Sequence, residues 1–493
     1  MKTHTHSAAA ILATLLLFCM AATMQAQFTF TTNNGTLTIL KYTGSGDDVV
    51  IPSSTNDLTV TTIGYQAFYG RISLTNVTIP DSITNIGTSA FFSCSHLTSL
   101  IIPDSVISIG DTAFSGCVGL TNVTLGTNLV SIGFQAFFCG SLTSVVIPKS
   151  VTSLGAYVFA IGSLTSATIY GGWGSNTFDS CSSLANVMIG TNVTRIGPGM
   201  FNHCKALSGV IIPDSVTNIG DNAFGSCSSL TNVVIGSGVT GIGTNAFLNC
   251  GSLLSVTIPD SVISIRGSAF YSCSNMVSLT LGKGLSSIGN VVFAYCRSLL
   301  AVAIPGSVTN VGIGAFSGCT HLTNIVVGDG VSSIGNAAFE YCKSLTNIII
   351  PSSVTSLGNG VFAMCANLQG AYFEGNAPSS GSSLFSGDTN ATVYYMPGTL
   401  GWGTTFGGRP TAPWPLPYPV VLNKDPSFGL ETNGFGFTIC WGTNISVVVE
   451  ACTDLANPTW SPVGTNTLTN GLSYFSDPQW TNYPASFYRV RSP

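Results

Sequence analysis

Apolar residues return in one fixed order along most of the chain, and the segment Leu97–Cys117 shows that order. Leu97, Leu100 and Ile102 follow one another at strand-like spacing and end at Pro103. The proline nitrogen carries no hydrogen for a continuing ladder, so the strand must close there. The pattern predicts one short β-strand in each unit.

The second half of the same unit predicts an extended segment followed by a tight turn. Val106 and Ile109 mark the extended segment, and Gly110 turns the chain into a short piece that carries Ala113 and Phe114. We expect this piece to be a single turn of α-helix or 3₁₀-helix, because residue types that cap helix N-termini stand three positions before the phenylalanine in eight of fourteen units. These residues are Thr88, Asp111, Ser175, Asp221, Thr244, Asn290, Asn336 and Asn359.

A phenylalanine anchors each unit and defines its length. Eleven of the thirteen intervals between anchors are 23 residues; the exceptions are 22 residues after Phe137 and 19 after Phe159. A unit of this size cannot bury its own apolar face, so neighbouring units must stack. The sequence therefore predicts a mainly β solenoid of 23-residue repeats with short helical or 3₁₀ turns. The anchors are Phe68, Phe91, Phe114, Phe137, Phe159, Phe178, Phe201, Phe224, Phe247, Phe270, Phe293, Phe316, Phe339 and Phe362.

Most of the cysteines occupy one position of the repeat, three residues after the anchor. Disulfide frameworks are typical of small secreted domains without a large core, so we interpret this column as buried thiols that pack as small apolar groups. Neighbouring repeats lie about 5 Å apart, and disulfides between them are geometrically allowed. The column contains Cys94, Cys117, Cys181, Cys204, Cys227, Cys250, Cys273, Cys296, Cys319, Cys342 and Cys365, with Cys139 in the same position after a one-residue deletion.

Strand residues that point away from the core form a second column, which is uncharged and largely β-branched. One interpretation is strand propensity alone, and the other is an extended docking surface for a large partner. Aromatic residues that stack on sugar rings are missing from the column except at Tyr372, which argues against a carbohydrate ligand. The candidate binding residues are Ile101, Thr124, Val146, Met188, Ile211, Val234, Thr257, Thr280, Val326, Ile349 and Tyr372.

The repeats resemble the BspA-like leucine-rich repeat proteins of bacterial surfaces, whose pattern runs LxxLxIPxxVxxIGxxAFxxC. Near-complete copies stand at Leu97–Cys117, Leu207–Cys227 and Leu253–Cys273, and a degenerate form covers about residues 49 to 373. The resemblance implies a right-handed leucine-rich repeat solenoid, capped at its N-terminus, that takes part in adhesion or protein–protein interaction.

Both ends of the chain differ from the repeats. Residues 1–26 combine Lys2, an apolar run and a small-residue cleavage site at Ala26, which is typical of a secretory signal peptide. Asn34 and Gly35 lie between two alternating segments and predict a hairpin. We expect an N-terminal cap at 27–63, the solenoid at 64–373, a C-terminal cap and loop at 374–412, a Pro-rich linker at 413–419 and a β-sandwich-like module at 420–493.

The C-terminal module alternates apolar and polar residues between turn-rich stretches, which predicts short strands. Cys440 and Cys452 fall on segments that we expect to be neighbouring strands. They are the one pair for which we predict a disulfide.

Two irregularities stand out within the repeats. The residue that ends the first strand alternates between glycine and proline in the later half, so that 46 residues separate Pro213 from Pro259. Earlier in the chain, the short unit that ends at Phe178 lacks its second extended segment. We expect a local kink in the stack around residues 160 to 180.

Charge and motif content exclude several functions. The chain has 14 Lys and Arg against 19 Asp and Glu, with no basic cluster, so we expect no nucleic-acid partner. No zinc-protease, serine-hydrolase or phosphate-loop motif occurs. The sparse aspartates after the strand prolines, such as Asp104 and Asp260, are interpreted as turn residues rather than as calcium ligands. We therefore predict no catalysis, no metal and no cofactor.

The leading hypothesis is a secreted or cell-surface protein that binds another protein or extracellular macromolecule along its exposed strand face, with no transmembrane segment once the signal peptide is cleaved. The alternative is a passive spacer that presents the C-terminal module. The sequence leaves the partner and the oligomeric state open.

Overall fold

The computed structural model describes residues 27–422, 428–431, 434–442, 444–456, 458–482 and 486–492. The signal peptide predicted at residues 1–26 lies outside the described residues. Within the described part, every regular element is a β-strand except one 3₁₀ turn at Trp480–Asn482.

The chain divides into two compact units. Unit 1 ends at Ala301 and also includes Gly318–Thr320, and unit 2 comprises Val302–Ser317 and His321–Pro493. The strand Ala301–Ile304 contains the division between them.

Unit 1 begins with an antiparallel hairpin. Strands Phe28–Asn33 and Thr36–Tyr42 pair with each other, and the turn residues Asn34 and Gly35 have φ values of 46° and 80°. Two central residues with positive φ are typical of a type I′ turn, so the predicted hairpin is confirmed. Leu58–Ile63 pairs in parallel with Thr36–Tyr42 and connects the hairpin to the coils that follow.

Each coil of unit 1 contributes a face strand, and most coils add a two-residue second strand. Equivalent strands of neighbouring coils pair in parallel and in register, as Ile211 does with Val234 and Ile219 with Ile242. The face strands are Asp48–Val50, Asn76–Thr78, Ser99–Ile101, Asn122–Thr124, Ser144–Ile147, Ser166–Ile169, Asn186–Ile189, Gly209–Ile212, Asn232–Ile235, Ser255–Thr257 and Ser278–Thr280. The second strands, preceded by Ser54–Thr55, are Asn85–Ile86, Ser108–Ile109, Ser131–Ile132, Ser153–Leu154, Arg195–Ile196, Asn218–Ile219, Gly241–Ile242, Ser264–Ile265 and Ser287–Ile288.

The segment around each phenylalanine is a run of turns, not the helical turn that the sequence predicts. The Phe92 N–H donates to Ser89 O at 3.1 Å within the turn, whereas the Phe91 N–H donates to Ala113 O of the next coil at 2.8 Å. Ser89 and Ser93 have positive φ, 53° and 58°. Because alternate N–H groups point to the neighbouring coil, a helical hydrogen-bond ladder does not form.

The residues expected to cap those helical turns act between coils instead. Asp111 Oδ1 accepts a hydrogen bond from Phe134 N, and Asp221 Oδ1 accepts one from Thr244 N, each at 2.7 Å. The side chain thus satisfies a backbone N–H of the next coil, 23 residues later.

Phenylalanine and cysteine form two buried columns in unit 1. The Phe68–Phe91 ring centroids are 4.6 Å apart with planes 13° from parallel, and stacking continues with similar spacing as far as Phe293. Each thiol donates to the backbone oxygen of a phenylalanine, as Cys250 does to Phe224 O at 3.1 Å. All cysteines of the column are free and buried, which confirms the predicted thiol column.

The glycines that alternate with the strand-ending prolines lie close to the backbone of the preceding coil. A Cβ atom on Gly282 would lie 2.2 Å from Pro259 O, and one on Gly236 would lie 2.6 Å from Pro213 O. Side chains are therefore excluded from the glycine coil at this point.

Unit 2 continues the same coil design. Its face strands pair in parallel from Asn347–Ile350 through Gly370–Phe373 and Thr392–Tyr395 to Arg409–Pro413. Phe316, Phe339, Phe362 and Phe385 stack in order; Phe385 is one anchor beyond the fourteen named from the sequence. The remaining strands of these coils are Asn310–Val311, Asn324–Val327, Ser333–Ile334, Ser356–Leu357, Ser379–Ser380 and Thr405–Phe406.

The C-terminal part of unit 2 is β-sandwich-like, with two small antiparallel sheets. Gly434–Cys440 pairs with Val420–Leu422, Gly429–Glu431 and Leu472–Asp477. In the other sheet, Ser446–Cys452 pairs with Ser461–Thr467 and Phe487–Arg491. The shared core consists of Phe437, Ile439, Val447, Val449, Leu468 and Phe475.

The predicted disulfide between Cys440 and Cys452 is not formed in the structure. Both thiols are free, and they lie on strands of different sheets. Cys440 Sγ points at Pro397 O, 3.8 Å away, and Cys452 Sγ donates to Asp454 O at 3.3 Å. The sequence predicted the strands but not which of them are neighbours.

Candidate binding face and cleft

The polar residues considered as sites from the sequence have structural partners. Asp104 Oδ1 accepts Thr127 N at 2.6 Å, and Asp260 Oδ1 accepts Lys283 N at 2.7 Å. The hydrogen bond from the Thr127 backbone holds the pKa of Asp104 below its ordinary value. Within the described ranges, no group of three or more His, Cys, Asp or Glu side chains is placed to hold a metal ion, and no helix is long and apolar enough to cross a bilayer.

The outward column of unit 1 lies on the exposed side of the face strands. Ile101 and Ile211 are 69% and 67% exposed, although the residues directly before and after each of them in the chain are buried. Neighbouring members meet across the strand ladder, as Thr124 does with Ile101 and Thr168 with Met188. Val146, Val234, Thr257 and Thr280 are also exposed.

The outward column of unit 2 has a different composition. Val326 and Ile349 are exposed, at 53% and 47%. Tyr372 is half-buried because its ring stacks on Tyr394 at 4.8 Å and contacts Trp414 at 4.9 Å. Burial, followed by the proximity of Tyr394, raises the pKa of Tyr372. This end of the column is therefore an aromatic cluster, of which the sequence indicated only Tyr372.

A cleft of about 630 Å³ opens on the exposed face of unit 1. Its lining includes Thr124 and Val146, two of the predicted binding residues, together with Lys149, Tyr170 and Asn192. Tyr170 is 41% exposed. The cleft thus adds depth and polar groups to a surface that the sequence predicts to be flat and apolar.

The cleft lies where the repeat is irregular. Asn122–Thr124 and Ser144–Ile147, its two strands, belong to different sheets. The following coil lacks a second strand, as the sequence predicted, and its backbone runs so close to Lys149 that a Cβ on Gly171 would lie 2.7 Å from Lys149 O. The short coil thus contributes Tyr170 to the lining of the cleft. The kink predicted around residues 160 to 180 stays a prediction.

Lys149 is the one charged residue that lines the cleft. It occupies the repeat position that holds Asp104 and Asp260 in other coils, and its exposed ammonium group has no ion-pair partner among the described residues. The chain as a whole has a net charge of −5. One positive charge in a mainly apolar lining favours a ligand that combines a carboxylate with an apolar group.

A family model and solved structures are similar to the chain. A family model described as BspA type leucine rich repeat region (6 copies) matches residues 61–174, 172–300 and 286–401. A leucine-rich repeat protein from Bacteroides ovatus is 30% identical over 75% of this chain and 93% of its own, with a TM-score of 0.59. No curated protein matches the chain significantly.

Two further solved structures are similar. A leucine rich cell surface protein from Faecalibacterium prausnitzii is 29% identical over 71% of this chain and 94% of its own, with a TM-score of 0.39. The pneumococcal vaccine antigen PcpA is 18% identical over 75% of this chain and 85% of its own, with the same TM-score of 0.39.

Proposed function

Because the chain belongs to the BspA-type leucine-rich repeat family, we propose that it is a non-enzymatic interaction protein that binds a partner protein through the exposed strand face of unit 1. The observation that carries this proposal is the cleft at Thr124, Val146, Lys149 and Tyr170, which is built into an otherwise regular row of exposed apolar side chains.

The regular part of the strand face provides apolar surface that a partner can cover. Ile101, Val146, Ile211 and Val234 keep about half or more of their surface in water, and contiguous apolar surface of this kind is typical of interaction sites. The face strands are held in register by their parallel ladders. A partner would therefore meet a surface whose side chains are already ordered, which lowers the entropic cost of binding.

The cleft supplies the anchor. Binding energy in protein interfaces concentrates in a few residues, and tyrosine is prominent among them. Tyr170 is 41% exposed and lines the cleft, and Lys149 contributes the positive charge of the same lining. We expect the partner to insert an apolar side chain with a carboxylate close by.

We further propose that the protein acts outside the cell, in adhesion. The signal-peptide pattern of residues 1–26 and the family membership support this location. The division into cap, solenoid, linker and C-terminal module at the boundaries predicted from the sequence is likewise a proposal.

Two sets of variants test the proposal against a partner captured from the natural surroundings of the protein. Replacing Ile211, Val234 and Thr257 with lysine should abolish capture while the far-ultraviolet circular dichroism stays unchanged. Lys149→Glu should weaken binding at least tenfold. The matched control is Lys283→Glu, because Lys283 occupies the same repeat position away from the cleft.

The outcomes separate the two parts of the proposal. If capture survives the triple replacement, the strand face is not the binding surface. If Lys149→Glu and Lys283→Glu have equal effects, the cleft is not the anchor.

A second candidate function is a spacer that presents the C-terminal module. It is favoured by the contacts that fix the module within unit 2, where Trp441 Nε1 donates to Leu416 O at 3.0 Å and Cys440 faces Pro397. Truncation after Pro419 distinguishes the two functions, because a spacer would lose all partner capture.

A further inference from the structure

The last coil of unit 2 carries a carboxyl group where the other coils carry a thiol. Asp388 lies three residues after Phe385, just as Cys365 lies three residues after Phe362. Phe385 stacks on Phe362 at 5.4 Å, so this coil continues the column. Asp388 is 1% exposed. A buried carboxyl therefore takes the place of a small apolar group.

The side chain at this position of the column faces a backbone oxygen, which accepts a hydrogen bond and cannot donate one. Cys365 Sγ donates to Phe339 O at 3.1 Å, and Cys342 Sγ donates to Phe316 O at 3.5 Å, in each case across 26 residues. The equivalent oxygen for Asp388 is that of Phe362. A carboxylate only accepts hydrogen bonds, whereas a protonated carboxyl can donate one as a thiol does.

The surroundings of Asp388 do not neutralise a negative charge. Neither carboxyl oxygen forms a hydrogen bond of normal geometry in the part of the chain that is described, and the nearby Cys365 backbone and Arg409 charge favour the ionised form less than burial opposes it. Arg409 donates from Nη1 to the backbone oxygen of Asp388 at 2.8 Å and from Nε to Gly408 O at 3.1 Å. The guanidinium group thus binds carbonyl oxygens. Arg409 is the charged group that acts on the Asp388 carboxyl, and the Cys365 backbone lies close to it.

We propose that Asp388 is a proton-controlled latch that closes the last coil when its carboxyl is protonated and loosens this coil when it is ionised. The protonated side chain fits the column as cysteine does elsewhere. The ionised side chain is a buried charge whose surroundings do not compensate for its loss of water, which costs free energy unless the coil opens.

The direction of the pH effect follows from proton binding. Burial raises the pKa of Asp388 from 3.8 to about 7, against the opposing effects of the Cys365 backbone and the Arg409 charge. Between these two values the closed coil holds a proton that the open coil releases, so opening becomes more frequent as the pH rises. One proton corresponds to about a tenfold change in the opening equilibrium per pH unit. Above about pH 7 the effect levels off.

Hydrogen exchange of the full chain tests the proposal, read from peptides that cover residues 380–396 between pH 4.5 and 8 and corrected for the intrinsic pH dependence of exchange. Protection of the wild type should fall about tenfold per pH unit up to about pH 7. Asp388→Asn and Asp388→Cys should both remove this slope, since the amide retains a donor and the cysteine restores the column. Asp260→Asn, which changes an exposed aspartate of another coil, should leave the slope at residues 380–396 unchanged.

Two outcomes would overturn the proposal. One is a wild-type protection that does not vary with pH after correction. The other is a slope that persists in Asp388→Cys or Asp388→Asn. Because the cysteine variant reproduces a side chain that eleven other coils accept three residues after their phenylalanine, it provides the readout even if the asparagine variant folds poorly.

Discussion

The coils of unit 2 and its C-terminal module bury side chains by opposite rules. In the coils, a buried residue packs against its own equivalent one coil away, as Phe339 does against Phe316 and Phe362. In the module, Phe437 and Phe475 pack against each other within a core of six different residues. Repetition lets the same side-chain packing recur in many coils, whereas each buried position of the module packs in its own way.

The two regions also treat buried carboxyl groups differently. Glu450 of the module accepts hydrogen bonds from Arg489 Nε and Arg491 Nε at 2.7 and 2.8 Å. Asp388 of the last coil has no such donors. The module can therefore hold an ionised carboxylate, while the coil position suits a neutral group.

The largest loss of stability is expected from replacing a buried phenylalanine of each region with alanine. Phe339→Ala and Phe437→Ala should each lower the free energy of unfolding by about 3–5 kcal/mol, because both side chains are buried and the cavities cannot fully collapse. Local hydrogen exchange should show the loss in the coils for Phe339→Ala and in the module for Phe437→Ala. Equal losses in both regions from either variant would contradict their separate packing.

Substituting one glycine in each region should change the free energy of unfolding by less, but the two regions should differ more clearly. A Cβ on Gly328 would lie 2.5 Å from Gly306 N and 2.6 Å from Ile304 O, both backbone atoms, whereas one on Gly442 would meet only the flexible Ile445 Cδ1. Gly328→Ala should cost about 1–3 kcal/mol and Gly442→Ala under about 1 kcal/mol, measured by chemical denaturation. A reversed order would show that the coils relax more easily than the module.

We expect the stability of the two regions to respond to pH in opposite directions, because Glu450 and Asp388 have opposite pKa shifts. Hydrogen bonds from Arg491 and then Arg489 lower the pKa of Glu450, so its contribution to stability is present above the ordinary carboxyl pKa and is lost as the pH falls through the lowered value. Protection of the module strands should decrease in acid, where the Asp388 coil is most protected. In Glu450→Gln, the acid response of the module should disappear. Its persistence would mean that another group causes it.

The smallest effect is expected from exposed hydroxyl groups that bridge neighbouring strands. Ser332 Oγ donates to Thr309 O at 3.0 Å in the coils, and Ser446 Oγ lies 3.0 Å from Thr467 Oγ1 in the module. Ser332→Ala and Ser446→Ala should each change the free energy of unfolding by at most about 1 kcal/mol. A loss of 2 kcal/mol or more in the coils alone would show that such bonds act cooperatively along the stack.

The columns were predictable from the sequence because a fixed spacing places equivalent residues in register. The phenylalanine and thiol columns follow from that rule alone, as does the exposure of Ile101 and Ile211. The rule fails at the ends of the repeats, where Tyr42 replaces phenylalanine and stacks on Phe68 at 5.2 Å. Asp388 was missed for the same reason, since a carboxyl does not look like a member of a thiol column.

Other features depend on tertiary geometry that spacing does not encode. The helical turns predicted from residues such as Asp111 and Asn336 are absent, because hydrogen bonds between coils outweigh local capping. The irregular spacing after Phe137 and Phe159 was visible, and so was Lys149 in place of aspartate. The structure was needed to show that Lys149 and Tyr170 line the same cleft.

Burial lowers the reactivity of thiols in the column. Burial raises the pKa of Cys139, Cys181 and Cys273 to about 12, so almost no thiolate exists near neutral pH to react with oxidants or alkylating reagents. Cys94 is an exception, because a hydrogen bond with Cys117 lowers its pKa. All twelve cysteines of the column are buried, so reagents reach them only when a coil opens. Each cysteine is at the same time a built-in reporter, because the rate at which it is alkylated measures how often its own coil opens.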